Sequence, residues 1–337
     1  MVVASPPPLA RTGEKKLLLP KLPTVDLSGP RADVAQQIVK AAETVGFFKV
    51  THHGVGPATV SRMAQESLGF FARPDHEKKR AGPADPFGYG CRNIGFNGDV
   101  GEVEYVLLNT HPGSIAQRSL TINSTDPTKF SSAAGGYIEA VKEVACEILD
   151  MMAEGLGATD AEAFSKLIRD VDSDSVLRLN HYPPFLLPSP SSAVDHPAAE
   201  LKVGFGAHTD PQILTVLTSN DVAGLQVHVD GDVWVSVAPD PTAFFVNVGD
   251  VLQVAMTNGR FVSVKHRALN VNAAKPRLSM AYFAAPPLNC TISPLPEMVT
   301  PSRPSLYRAF TWAEYKKASY SLRLGDSRLD LFKTQQQ

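Results

Sequence analysis

From about residue 176 the apolar residues of this 337-residue chain leave helical spacing and fall into short runs, at 176–182, 213–218, 224–228, 233–237, 243–247, 261–265 and 277–285. Each run is rich in Val, Ile, Phe and Leu, and Asn, Gly, Asp or Pro separates it from the next. Strand-length runs with no helical pattern between them predict a sandwich or barrel rather than alternating βαβ units. The first half is patterned differently. Val34, Ile38, Ala41 and Val45 recur at helical spacing and predict a helix over about 31–45, stopped by Gly46 and followed by a strand over 47–50. A second helix is predicted over 57–72. Tyr137, Val141, Val144, Ile148 and Met151 define a third, closed by Gly155 and Gly157, and a fourth follows over about 160–170. Leu22 to Ser28 reads as a short strand and turn, the Gly-rich stretch 87–92 as irregular backbone, and Thr311-Trp-Ala-Glu314 as a capping box that opens a terminal helix. The fold class is α+β, with a helical first half, an all-β second half and one final helix.

Composition narrows the function classes. The formal charge is -2, from 32 basic and 34 acidic residues interspersed along the chain, so nothing marks a nucleic-acid partner. No apolar run approaches the length of a membrane span, and the amino-terminal residues lack the apolar core of a secretory signal. Three scattered cysteines, Cys91, Cys146 and Cys290, form no disulfide framework, and the expected location is cytoplasmic. The 27 prolines cluster in the first two dozen residues, from Pro183 to Pro197 and from Pro286 to Pro304, which read as a tail, a long loop and a late connection.

The chemistry concentrates in three polar pairs. His208-Thr-Asp210 lies among strand-like residues, where side chains two apart share a face. His266 follows on a later run. Two histidines and a carboxylate on one side of a metal leave coordination positions open, the arrangement of non-haem iron(II) oxygenases. A lone His-x-Asp is a weak metal signal, and seven other histidines are candidate ligands. Arg277-Leu-Ser279 repeats the two-residue spacing and offers a two-pronged donor with a hydroxyl, suited to a small carboxylate. Asn180-His-Tyr182 is a third such pair. Polar pairs at period two on otherwise apolar strands need an inward-facing polar pocket.

These motifs resemble those of the plant 2-oxoglutarate-dependent dioxygenases over nearly the whole chain. Leu22-Pro-Thr-Val-Asp-Leu and Gly46-Phe-Phe-Lys-Val-Thr-His-His-Gly-Val55 are similar to that family's amino-terminal region, in which His52 and His53 are structural. Asn180-His-Tyr-Pro-Pro184, Gly206-Ala-His-Thr-Asp-Pro211, Ser263-Val-Lys-His-Arg267 and Arg277-Leu-Ser279 resemble its catalytic core. The resemblance implies a double-stranded β-helix, or jelly roll, flanked by helices. It divides the chain into a flexible leader (1–20), a mainly helical region packing on the core (21–170), the catalytic core (171–290) and a C-terminal loop and helix (291–337). It also implies that His208, Asp210 and His266 bind Fe(II), that Arg277 and Ser279 hold the distal carboxylate of 2-oxoglutarate, and that Asn180 and Tyr182 complete its site. O2 is the other co-substrate, with ascorbate added in assay.

Phe87 to Gly101, Val103-Glu-Tyr-Val-Leu-Leu-Asn109, Asp210-Pro-Gln-Ile and Phe310-Thr-Trp-Ala-Glu-Tyr-Lys-Lys are similar to the gibberellin 2-oxidases that act on C19 gibberellins. That branch often carries an acidic residue where Ala207 stands here; Ala207 is expected on the strand face away from the metal. The implied reaction is hydroxylation at carbon 2, inactivating the hormone, with 2-oxoglutarate converted to succinate and CO2. A gibberellin is a rigid apolar cage bearing a carboxylate, so Arg92 and Tyr105, in the segment particular to this branch, are the substrate-binding candidates. Three readings compete: an oxygenase of another plant hormone or a flavonoid, a hormone-binding protein on an inactive scaffold, and a zinc hydrolase. The second predicts a lost ligand, and the third leaves Asn180, Tyr182, Arg277 and Ser279 without a common task.

Overall fold

The computed structural model describes residues 22–94, 98–184, 202–229, 233–270, 274–324 and 326–334. The leader expected over 1–20 and most of the proline-rich stretch from 183 to 197 lie outside them. In chain order the elements are β1 (Thr24–Asp26), α1 (Arg31–Thr44), β2 (Phe47–Thr51), α2 (Pro57–Phe71), α3 (Asp75–Lys78), β3 (Gly88–Asn93), β4 (Val100–Asn109), α4 (Pro112–Ile122), α5 (Pro127–Leu156) and α6 (Ser165–Arg169). There follow β5 (Val176–Tyr182), β6 (Lys202–His208), β7 (Leu214–Ser219), β8 (Leu225–Val229), β9 (Val233–Ser236), β10 (Phe244–Val248), β11 (His266–Asn270), β12 (Arg277–Ala284), β13 (Thr291–Ile292), β14 (Phe310–Thr311) and α7 (Trp312–Ser321).

The larger sheet runs β1-β2-β10-β7-β12-β5-β4-β3 and the smaller runs β6-β11-β8-β9. They pack as a jelly roll. Between them, Phe47, Phe245 and Leu217 of the larger sheet meet Leu225 and Val227 of the smaller. The other face of the larger sheet lies under the helices, where Leu177, Val216 and Met280 join the cluster that holds Ile38, Tyr137, Val141 and Ile148. Buried on both faces, β10 apart from Asn247 and β12 beyond Ser279 read as continuous apolar runs. Each large aliphatic or aromatic side chain fully withdrawn from water here contributes about 1.5–3 kcal/mol.

Helix α5 is long because both ends are chemically defined. Asp126 accepts the Lys129 N–H at 3.0 Å, Pro127 occupies the first turn, and Gly157 takes φ 72° beyond the last. Helix α7 opens on the expected capping box, with Thr311 and Glu314 exchanging side-chain and backbone bonds.

Four expectations change. The Gly-rich stretch is the strand β3, because its glycines allow tight packing against neighbouring strands: a Cβ at Gly90 would enter the ring of Tyr105. Residues 261–265 form no strand, and only Phe261 and Val264 among them are buried; Val262 N–H donates to Ala42 O at the end of α1, and the ladder begins at His266. The helix over 160–170 shrinks to α6, since Asp160 bonds the Glu162 N–H at 2.9 Å and Lys166 at 2.6 Å and holds a turn before it. Finally, β4 and α4 form where no periodic signal is expected, and β1 to β4 all join the larger sheet.

Candidate active site

The smaller sheet carries two of the three candidate ligands. His208 ends β6 and His266 begins β11, and the two are direct cross-strand partners with ring centroids 4.3 Å apart. Asp210 does not share a strand face with His208, because β6 has ended by then. It is turned back by the loop to β7, where its carbonyl accepts the Asp250 N–H at 2.7 Å. Asp210 Oδ1 then lies 3.6 Å from Nε2 of each histidine, and one donor atom from each residue falls within 4.8 Å of the others.

The outer atoms of this cluster are already engaged. His208 Nδ1 bonds the Gly206 carbonyl at 2.7 Å and His266 Nδ1 the Val264 carbonyl at 3.2 Å, which turns both Nε2 atoms inward, where Asn247 Nδ2 lies 3.4 Å from that of His266. Asp210 Oδ2 accepts from Thr215 Oγ1 at 2.6 Å and Asn247 Nδ2 at 3.1 Å, leaving Oδ1 toward the centre. Burial, then the adjacent His266, lowers the pKa of His208 and favours the neutral imidazole. Burial opposes charge on Asp210, but His266, His208 and its two hydrogen bonds outweigh it and lower its pKa. Two imidazoles and a carboxylate are the donor set that suits Fe(II).

Next to the cluster is a chamber of about 450 Å³ lined by Asn180, Tyr182, Arg277 and Ser279 as well as by His208, Asp210 and His266. Cross-strand register brings the two polar pairs together: Arg277 opposes Tyr182, and Ser279 opposes Asn180. Arg277 is 4% exposed, its Cζ sits 5.1 Å from the ring centroid of Tyr182, and its Nε has no partner. Burial pulls its pKa down, opposed by Tyr182. Among the described residues no carboxylate forms an ion pair with it. A buried guanidinium without a counter-ion is costly, and a small dicarboxylate such as 2-oxoglutarate answers that cost. Iron(II) and 2-oxoglutarate therefore fit the residues present.

On the other side of His208 and Asp210 a cleft of about 1070 Å³ opens, walled by Ile94, Leu107, Phe205, Phe283, Leu322 and Leu324 among others. Tyr105 is on this wall, its hydroxyl donating to Asn93 O at 3.1 Å. Arg92 is not. Its side chain is 71% exposed, 3.5 Å from Glu102, and its backbone takes φ 62° on β3.

Three cations line this wall: Lys316, paired with Asp174 at 2.7 Å, Arg328, 3.8 Å from Asp250, and Arg178, which sequence reasoning missed. Its Nε donates to Asn180 Oδ1 at 2.8 Å, its Cζ sits 3.8 Å from the Tyr105 ring centroid and 4.8 Å from that of Phe205, and its Nη2 is buried without a partner. Arg178 lines both spaces. The signal was available: Arg178, Asn180 and Tyr182 continue a single period-two series along β5. Asn247 and Thr215, which orient Asp210, carried no such signal: Asn247 is a lone polar residue in β10, and Thr215 has no polar partner two residues away in β7.

A jelly roll with this donor cluster beside an arginine-floored chamber defines an oxygenase that uses iron(II) and 2-oxoglutarate, and the chain belongs to the 2OG-Fe(II) oxygenase superfamily, whose family model matches residues 173–286. Residues 22–103 match the model described as the non-haem dioxygenase in morphine synthesis N-terminal. Within the superfamily the chain is similar to gibberellin 2-beta-dioxygenases. It is 57% identical to gibberellin 2-beta-dioxygenase 4 of Arabidopsis thaliana over 93% of this chain and 95% of that one. It is 51% identical to gibberellin 2-beta-dioxygenase 1 of Oryza sativa subsp. japonica over 92% and 86%. Among solved structures, JOX2 in complex with 2OG, Fe and JA matches with TM-score 0.78 at 29% identity, over 93% of this chain and 89% of that one. The rice dioxygenase for auxin oxidation matches with TM-score 0.74 at 27% identity, over 93% and 100%.

Proposed function

We propose that this chain hydroxylates C19 gibberellins at carbon 2, on the β face, inactivating the hormone while 2-oxoglutarate is converted to succinate and CO2. The observation that carries the reading is the buried, unpartnered Nη2 of Arg178, a residue that lines the mainly apolar cleft adjoining His208 and Asp210. A rigid apolar cage with one carboxylate complements such a wall, and the names of the similar curated proteins agree with it.

His208, Asp210 and His266 are assigned to iron, Arg277 and Ser279 to the distal carboxylate of 2-oxoglutarate, and Asn180 and Tyr182 to the rest of its site. Bound there, iron(II) supplies activation of O2 coupled to decarboxylation of the co-substrate. The chain's own residues supply position and dryness. Arg178 anchors the hormone's carboxylate, and the ring of Tyr105 fixes the guanidinium plane. Phe205 and Phe283 line both spaces at the passage between them and keep water from the reacting carbon. We place the enzyme in the cytoplasm, in keeping with three free cysteines and with the absence, among the described residues, of a helix long and apolar enough to cross a membrane.

The test is succinate release by purified protein with Fe(II), ascorbate and 2-oxoglutarate, with and without a C19 gibberellin, with products analysed by mass spectrometry and NMR. Gibberellin-dependent succinate and a product hydroxylated at carbon 2 are expected. Slow succinate release that gibberellin does not stimulate sinks the substrate assignment.

A further inference from the structure

The carboxylate of Asp250 is 1% exposed and lines neither the co-substrate chamber nor the cleft. Its Oδ1 accepts Ser263 Oγ at 2.7 Å. Its Oδ2 accepts the Tyr315 hydroxyl at 2.8 Å and Thr209 Oγ1 at 3.2 Å, with Arg328 Nη1 3.8 Å away. These partners come from distinct places. Thr209 sits between the candidate ligands His208 and Asp210, and Ser263 lies three residues before His266. Tyr315 belongs to α7, and Arg328, in the segment beyond, also donates to Thr209 O at 3.0 Å.

The backbone repeats the connection. Asp250 N–H donates to Asp210 O at 2.7 Å and Gly249 N–H to Ile213 O at 3.0 Å. A Cβ at Gly249 would overlap the Gln212 carbonyl, so only glycine permits this approach. Helix α7 meanwhile presents Lys316, Ser319 and Tyr320 to the cleft. Burying a carboxylate this completely is unfavourable and raises its pKa, against the hydrogen bonds from Ser263 and Tyr315. A site that required only packing would be served by an apolar side chain.

We propose that Asp250 is a positioning residue that couples the C-terminal wall of the substrate cleft to the two loops carrying the metal ligands. Helix α7 cannot shift without disturbing Thr209 and Ser263, so ligand geometry and the cleft wall move as one unit. The coupling is reciprocal: loosening α7 weakens metal binding, although α7 supplies no ligand.

The experiment loads full-length protein with Co(II) and reads its dissociation constant and visible ligand-field spectrum, neither of which requires a gibberellin. A wrong substrate assignment therefore leaves this test intact. Tyr315→Phe keeps the ring stacked near Phe310 and Phe332 and removes only the hydroxyl. It is expected to weaken Co(II) binding several-fold and shift the spectrum. Asp250→Asn is expected to cost on the order of tenfold in affinity, and the double variant less than the product of the two, because they share a bond. Wild-type Co(II) affinity and spectrum in Tyr315→Phe, with only the thermal midpoint lowered, would overturn the proposal whether or not Asp250→Asn folds.

Discussion

Arg178 and Arg277 each keep a buried guanidinium nitrogen without a partner, but of the two only Arg178 also lines the cleft, and that difference makes their roles separable. Replacing Arg277 by Lys keeps the charge and loses the two-pronged contact. One charge-assisted hydrogen bond is worth about 1.5–3 kcal/mol, so the KM for 2-oxoglutarate should rise by tenfold or more while that for gibberellin stays put. An unchanged 2-oxoglutarate KM removes Arg277 from that site. For Arg178→Gln the dependence reverses: the gibberellin KM should rise by a similar factor. The variant should also stop preferring the free acid over its methyl ester, measured by competition between the two. Continued preference for the acid would place the anchor elsewhere. Six of the seven candidate residues were legible in the sequence as pairs, because two-residue spacing among apolar residues is rare without a pocket to face, and His266 was read from its motif. Arg178 belonged to the same series one step earlier. Asp210 does lie beside His208, but a loop and not the strand pleat brings it there.

At the scale of elements, glycine is where sequence reading and structure part most clearly. The stretch around β3 and β4 has the composition of a loop, yet its glycines serve close approach between strands. A Cβ at Gly101 would overlap the Gly204 carbonyl on β6 and lie 2.9 Å from Ile94 Cδ1. Gly101→Ala must push β4 away from β6, the strand that ends in His208. Overpacking of this kind costs about 1–3 kcal/mol, to be read as a lower urea midpoint at unchanged slope. A midpoint equal to wild type would mean that the two strands separate freely. The opposite error, at 261–265, has the complementary cause. Apolar residues such as Phe261 and Val264 report burial, and burial from a loop looks the same in sequence as burial in a ladder. Helix α7, in contrast, was legible to the residue, because a capping box is local chemistry independent of tertiary contacts.

At the scale of the whole molecule, the helical first half and the β core are joined by a polar network that no pattern announced. Glu104 on β4 accepts Lys78 of α3 at 2.6 Å, the Tyr89 hydroxyl of β3 at 2.7 Å and His181 Nδ1 of β5 at 2.8 Å. The ring of His181 stacks on Phe71 of α2 at 5.0 Å. Because strand side chains alternate, the neighbours Tyr105 and Asn180, also cross-strand partners, point the other way, so this network sets the register of the face that carries Arg178. Burial opposes the charge on Glu104, but the bonds from His181, Lys78 and Tyr89 prevail and bring its pKa from 4.5 to about 2. The folded-state value is the lower one, so the contribution is complete above about pH 4.5 and is lost as pH falls toward 2. Its size is on the order of 2–3 kcal/mol. Glu104→Gln removes it and leaves Lys78 buried with only Asp75, 3.2 Å away, as a charged partner. Urea denaturation of both proteins from pH 7 to pH 3 should show a gap that is widest at neutral pH and narrows below about 4.5, as the unfolded wild type takes up the proton that folded Glu104 refuses until about pH 2. A gap constant across that range would mean that Glu104 acts there by shape and not by charge.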